Sequence, residues 1–307
     1  MNTSTLLSIQ HVTQLYDNQK GIRDITFDID SGDFVALVGS NGSGKSTLIN
    51  TISGVQSYQS GTVTINDTYL PSKHPYSFLG FSPQQQVVDW YLTVLDNVVL
   101  GTLLAGYKNK EATHLATEAL KIVNLEDKHH LTVDQLSGGQ QQRVQIARSI
   151  AHNPAFYLLD EPTTGLDTES AESFLSYLSD AVKERDAAAI VSSHDLNLLE
   201  KYCNKVLYID HGALKYYGNM ADFIENNNKT INYTIVYAEP LNTTTVHTVM
   251  AQHVNQYDVI DDHTIRFNIN HTQNVSDVIQ ACATLGKIKS FSEEKKSLRD
   301  SYLSIKQ

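Results

Sequence analysis

A chain of 307 residues, 41 % hydrophobic and 19 % charged, has apolar content for one large domain and a small one, which excludes a disordered protein. Its net charge of −11 argues against a general nucleic-acid-binding surface, which is normally basic. No run approaches the roughly 18–20 apolar residues of a membrane span, and Met1 to Ser8 lacks the basic and apolar regions of a signal peptide, so any membrane role must pass through a partner. Cys203 and Cys282 stand far apart with no metal-ligand spacing, and a reduced compartment with two small buried apolar side chains is expected.

In chain order, Leu6 to Tyr16 and Ile25 to Ile29 alternate apolar and polar residues, which predicts antiparallel edge strands. Tyr16 lies on a loop before Gly21, where its ring serves either as core or as a stacking face for a base. Phe34 to Val38 is a short apolar run that leads without a gap into Gly39-Ser40-Asn41-Gly42-Ser43-Gly44-Lys45-Ser46 and then Thr47, the opening of a helix. This strand, loop and helix form a phosphate-binding pattern. Gly39, Gly42 and Gly44 free the backbone to turn its N–H groups around an anion, and the helix dipole adds to the attraction. Lys45 reaches the β- and γ-phosphates, and the Ser46 hydroxyl is a hard ligand for Mg²⁺.

Gly61 to Ile65 and Phe78 to Phe81 read as strands, and Ser82-Pro83-Gln84 breaks the second. Thr93 to Leu104 and Glu111 to Val123 carry helical spacing. Trp90 and Tyr91, just beyond Gln84, are either a contact for a partner or core. His129 and His130 sit in a polar loop without companion ligands and are expected to be solvated. Ser137-Gly138-Gly139-Gln140 then opens a second glycine-led helix with an anion-receptive N-terminus. Phe156 to Leu159 is a buried strand ending in Asp160-Glu161, two carboxylates where open α/β sheets bind ligands. Asp160 suits Mg²⁺ and Glu161 an attacking water. Thr163 to Asp167 turns into a helix over 168–185, Ala187 to Val191 is another buried strand followed by Ser192-Ser193-His194, and strands at Lys205 to Ile209 and Ala213 to Tyr217 close the domain.

Past a polar linker at 226–231 the order is strand, helix, hairpin, helix, strand over Tyr233 to Phe291, with a last helix over Ser297 to Ile305. That order fits a small ferredoxin-like α+β domain over 232–307. It holds no catalytic constellation, and its position suggests dimer support or regulation.

Taken together, these motifs resemble the nucleotide-binding subunits of ABC transporters over roughly residues 1–225. The resemblance implies a P-loop α/β cassette with an antiparallel edge and a helical subdomain. It makes Tyr16 the adenine platform, Gly39 to Thr47 the ATP phosphate loop, and Ser46, Gln84 and Asp160 the Mg²⁺ residues. Glu161, His194, Lys45 and Gln84 become the catalytic set. Ser137, Gly138, Gly139 and Gln140 are the signature that meets the γ-phosphate of a second cassette, in a homodimer or heterodimer. Separate membrane permease subunits, a place on the cytoplasmic face of the membrane and no nucleic acid are implied as well. The wording Thr163 to Asp167 and the ending Ser297 to Leu303 are similar to ABC-2 type exporters, although Arg299 and Ser301 depart from that ending. An importer subunit, a soluble ABC ATPase of translation or repair, and a non-hydrolytic ATP-gated module are the competing readings. The single cassette without long insertion disfavours the second, and the intact Glu161 and His194 disfavour the third.

Overall fold

The computed structural model describes residues 5–17, 19–70, 74–227, 230–254, 256–270, 274–294 and 296–306. The chain divides into two compact units, Met1–Met220 and Ala221–Gln307. Of the linker expected at 226–231, residues 228 and 229 lie outside the described residues, as do 1–4 of the N-terminal stretch.

In the first unit, β1 (Thr5–Leu15) and β2 (Gly21–Asp30) pair antiparallel, as their alternating burial requires. After β3 (Phe34–Val38) and α1 (Lys45–Ile52), β4 (Ser60–Ile65) adds to β1 to complete the sheet β2-β1-β4. Next come β5 (Leu79–Ser82), α2 (Val94–Leu104), α3 (Asn109–Ile122) and α4 (Gly138–Ile150). The unit continues with β6 (Phe156–Leu159), α5 (Thr168–Glu184), β7 (Ala188–Ser192), α6 (Leu196–Tyr202), β8 (Lys205–Asp210) and β9 (Ala213–Asn219). The main sheet runs β5-β6-β7-β3-β8-β9, parallel except for the last pair. Every residue of β3, β6 and β7 is buried, which is why these strands are continuous apolar runs. Between this sheet and the antiparallel one lies a core of residues such as Leu6, Ile9, Ile25, Leu48, Ile52 and Phe156.

The second unit takes α7 (Met220–Asn226) from the boundary and then β10 (Thr230–Tyr237), α8 (Thr243–His253), β11 (Gln256–Asp261), β12 (Thr264–Asn270), α9 (Val275–Ala283), β13 (Ile288–Glu294) and α10 (Leu298–Ile305). Its antiparallel sheet is ordered β11-β12-β10-β13, the arrangement of a split βαβ fold. Tyr233, Ile235, Ile265 and Phe267 from the sheet pack with Val246 and Met250 of α8 and Val278 and Cys282 of α9. Both cysteines are free and buried, as expected.

Just past α4, His152 is 6 % exposed and its Nε2–H donates to the Leu79 carbonyl at 3.2 Å. Its Nδ1 has no partner among the described residues, and burial pushes the imidazole pKa down from 6.5 to about 4. The folded protein therefore stays neutral here where the unfolded chain takes a proton. The corresponding stability is complete above pH 6.5, falls as the pH drops towards about 4, and is constant below. We expect His152→Gln to remove about 2–3 kcal/mol of the stability difference between pH 7 and pH 4.5, read by urea unfolding at both values.

Candidate functional site

A cleft of about 260 Å³ opens at the C-terminal edge of the parallel sheet, lined by Asn41, Gly42, Gly44, Lys45, Ser46, Thr47, Gln84, Asp160, Glu161 and His194. The loop after β3 supplies its floor. Gly42 (φ 78°) and Gly44 (φ 110°) hold left-handed backbone that side chains rarely adopt. At Gly39 the limit is space, since a Cβ would lie 2.4 Å from both the Ile209 carbonyl and Ser43 Oγ. Lys45 Nζ donates to the carbonyls of Gly39 at 2.8 Å and Ser40 at 3.2 Å, so its ammonium lies inside the loop. Ser43 Oγ is buried with no hydrogen-bond partner among the described residues. An orphan hydroxyl, a glycine cradle and an ammonium together fit a polyphosphate.

The wall opposite comes from β6 and β7. Asp160 is 3 % exposed, and its Oδ1 accepts from Ser192 Oγ at 2.6 Å. The same Ser192 Oγ accepts the Glu161 N–H at 2.8 Å, so one hydroxyl at the end of β7 fixes both residues. Glu161 adopts φ 53°, a strained conformation for a residue with a side chain, and is 5 % exposed. Its Oε1 lies 3.4 Å from Nε2 of His194. Burial raises the Glu161 carboxyl above its ordinary value, the His194 charge opposes that rise, and neighbouring Asp160 adds to it. Asp160, Gln84 and Ser46 offer only oxygen or amide donors suited to a hard cation, so the set fits Mg²⁺.

The expected residues separate into three places. Ten of them line the cleft, and Ser43 is buried in the loop that supplies its floor. Tyr16 stands at the end of β1, 45 % exposed, with its hydroxyl donating to Gln56 Oε1 at 2.9 Å; it is not core. Ser137, Gly138, Gly139 and Gln140 do not line this cleft. Ser137 caps α4, its Oγ accepting the Gln140 N–H at 3.4 Å while Gln140 Oε1 accepts the Ser137 N–H at 3.1 Å. Ser137 and Gly138 are exposed, and nothing stands within 4 Å of where a Gly138 Cβ would be. Trp90 and Tyr91 are 51 % and 90 % exposed, which removes the core reading for both.

Two functional side chains were not singled out from the sequence. Ser192 carries a weak signal, the first polar residue after a buried apolar strand beside His194. Gln145 carries none. It is fully buried in α4, where its Nε2 donates to the Pro83 carbonyl at 2.7 Å and Ser82 Oγ at 3.1 Å, and its Oε1 accepts the Val87 N–H at 2.6 Å. The loop bearing Gln84 is therefore held from α4.

Comparison with known proteins agrees with this geometry. The family model described as ABC transporter matches residues 22–164. The methionine import ATP-binding protein MetN of Bacillus subtilis is 31 % identical over 72 % of this chain and 68 % of its own. The manganese transport system ATP-binding protein MntB of Halalkalibacterium halodurans is 34 % identical over 71 % of this chain and 87 % of its own. Among solved structures, an ATP-binding subunit of an ABC transporter superposes with TM-score 0.66 at 28 % identity, covering 72 % of this chain and 93 % of that one. A dimeric ATP-binding cassette in a post-hydrolysis state with ADP and Pi gives TM-score 0.63 at 30 % identity, covering 70 % and 98 %.

Ser192→Ala strips one buried carboxylate oxygen and one buried N–H of their shared partner. We expect a loss of roughly 2–3 kcal/mol in urea unfolding, with a displaced Glu161 visible as a weakened response to Mg²⁺ and nucleotide in the melting temperature.

Proposed function

The chain belongs to the ABC transporter family as an ATP-binding protein, an ATP hydrolase that works with ATP and Mg²⁺, and from that premise we propose that it drives a separately encoded membrane subunit by closing and opening as a dimer. One observation carries the reading. The cleft gathers Lys45, Ser46, Gln84, Asp160, Glu161 and His194, while the signature turn 137–140 lies outside it, with Ser137 and Gly138 exposed. A second cassette, alike or different, supplies that turn over the nucleotide.

Tyr16 stacks the adenine and residues 39–47 wrap the phosphates, with Lys45 on the γ-phosphate. Ser46, Gln84 and Asp160 are the residues that would hold Mg²⁺, which would supply charge neutralisation for the phosphates. Glu161 orients the attacking water and takes its proton, and His194 sets the carboxylate and the γ-phosphate in line. Water is then positioned before hydrolysis begins. The membrane partner is read from the surface beside the Gln84 loop. A hollow of about 390 Å³ is lined there by Tyr76, Leu79, Phe81, Leu104 and Arg148, and exposed Trp90 and Tyr91 stand on the same loop as Gln84. No described helix is long and apolar enough to cross a membrane, and the place of action is the cytoplasmic face through that partner.

For direction we take export, on the wording Thr163 to Asp167 and the ending Ser297 to Leu303. Import is the second reading. It is favoured by MetN of Clostridioides difficile, a methionine import protein 28 % identical over 81 % of this chain and 84 % of its own, a match too long to be confined to Met1–Met220. The Ala221–Gln307 unit is assigned to dimer support or regulation, and a chain ended near 228 with unchanged ATPase, dimerisation and transport would remove that role.

Glu161→Gln is expected to lower phosphate release at least 100-fold while ATP still drives dimer formation on size exclusion. With the raised Glu161 pKa, wild-type activity falls as the pH drops through a value above the ordinary carboxylate range. The folded carboxyl holds its proton better than the unfolded one, so stability decreases as pH rises through the same window, and Glu161→Gln melts higher at pH 7. The Glu161→Gln protein with ATP and Mg²⁺ should capture a polytopic membrane protein from solubilised native membranes. Ribosomes or DNA-associated proteins in its place would end the transport reading. With that partner in liposomes and cassette and ATP outside, export fills the lumen from a solute mixture and import empties it.

A further inference from the structure

We propose that β13 is a docking surface for a second copy of this chain, the two strands pairing antiparallel about a two-fold axis at Phe291. Resting on the dimeric reading above, this makes the partner an identical chain and gives the Ala221–Gln307 unit its part in the dimer.

The sheet of that unit ends in two edge strands, β11 and β13. Every residue from 289 to 293 of β13 is exposed, so its outer side is open along its middle. Two bonds at the end of β10 fix which backbone groups point there. The Tyr237 N–H donates to the His263 carbonyl at 2.8 Å, and the Ala238 N–H to the Lys287 carbonyl at 2.9 Å. By the alternation of an antiparallel ladder, odd-numbered residues of β10 bond to β12 and even-numbered ones to β13. Val236 stands opposite Ser290 and Thr234 opposite Ser292, so these serines turn their backbone groups inward. Phe291 and Glu293 turn theirs outward. An open row of donors and acceptors accepts another strand unless the sequence prevents it.

The sequence of β13 favours its own copy. Lys289-Ser290-Phe291-Ser292-Glu293 is the same in size and polarity from either end, with opposite charges at its two ends. Laid antiparallel on itself about Phe291, it sets Ser290 against Ser292 and Lys289 against Glu293 of the second copy, and the two-fold axis repeats each pair. Neither Lys289 nor Glu293 makes an ion pair among the described residues, whereas neighbouring Glu294 is held by Arg266 at 2.9 Å and Thr234 at 2.8 Å. The register slips where Tyr237 meets Ile288 and Val236 meets Ser290, leaving Lys289 as the extra residue of a bulge that ends the regular edge. The other edge behaves oppositely. Asp258 and Asp261 are the only charges of β11, so self-pairing there would bring like charges together.

Aromatic packing points to the same axis. Phe267, Tyr233 and Phe291 form a row of stacked rings, with centroids 5.7 and 5.0 Å apart, that runs from the core to the edge. The row stops at Phe291, which is 38 % exposed. Phe291 of the second copy, directly opposite, extends the row and covers the ring. No residue of the nucleotide cleft takes part, so this contact joins two chains before ATP is bound, and ATP then closes a dimer already held at one point.

The test is sedimentation velocity of the full chain without nucleotide. Wild type should dimerise with a Kd on the order of 10 µM. Lys289→Glu and Glu293→Lys should each weaken the dimer at least about ten-fold, because each sets two like-charge pairs across the axis. The double reversal should return wild-type affinity, since the exchanged charges are again opposite. Facing Cα atoms on the axis would lie about 5.5 Å apart, within disulfide range. Phe291→Cys should therefore cross-link to its own copy under mild oxidation and Lys289→Cys should not, with native Cys203 and Cys282 buried. Three results would overturn the pairing: a wild type monomeric at about 100 µM, a double reversal no tighter than the single ones, or Phe291→Cys that does not cross-link. A Glu161→Gln/Lys289→Glu protein should still dimerise when ATP is added. Failure there strikes the ATP-closed dimer of the reading above, whereas association without nucleotide bears on β13 alone.

Discussion

Everything in the first unit depends on the register with which β7 is inserted between β3 and β6. Leu37 pairs with Ser192, Leu159 with Val191, and Ser82 with Leu159. The residues that follow each strand then emerge at one level, and the phosphate loop, Asp160-Glu161, His194 and the Gln84 loop share an edge. All three central strands are buried on both faces, so a slip by one residue would exchange every side chain between faces. It would also take the Ser192 hydroxyl away from Asp160 and Glu161. The hydrophobic core thus sets the register on which the polar geometry depends.

Helix α4 is the second organiser, and it works by the opposite chemistry. Gln141, Gln142, Gln145 and Ser149 are buried in it, an unusual load of polar side chains for an interior helix. Gln145 alone pairs with three groups between the last residue of β5 and Val87, and Gln141 donates to the carbonyls of Val133 and Leu136 just before the signature. Amide networks of this kind are stable only when fully satisfied, so they hold neighbouring segments to one arrangement at a time. A helix bonded to the Gln84 loop on one side and to Asp167 on the other holds both loops to one frame. An apolar helix in the same place would let each loop slide.

Much of this was legible in the residues themselves. The buried strands are apolar runs, the phosphate loop is spelled out in glycines, and Asp160-Glu161 closes a strand where carboxylates are otherwise unwelcome. The helices α6 and α7 were not read. Each is seven residues long, too short for periodicity to register, and α6 is announced only by the Asp195 cap that accepts the Leu198 N–H. Ser192 and Gln145 escaped for a different reason. Their partners lie 31 or more positions away, and serine or glutamine after an apolar strand or within a helix looks ordinary until the chain is folded. Trp90 was ambiguous because an aromatic residue belongs equally to a core and to a surface patch, and only burial separates the two. Residues 137–140 were legible as an anion-receptive helix start, yet they do not line the cleft of the single chain.

The chain's one tryptophan lies on the segment between β5 and α2, half exposed, with its backbone carbonyl accepting the Asp134 N–H at 3.3 Å just before the signature. An indole in that position emits as a hydrated fluorophore, and no second tryptophan blurs the signal. The protein therefore carries its own optical label on the segment that follows Gln84. Any partner or segment that covers the indole would shift its emission to shorter wavelength, so burial at this point can be followed on the unmodified chain.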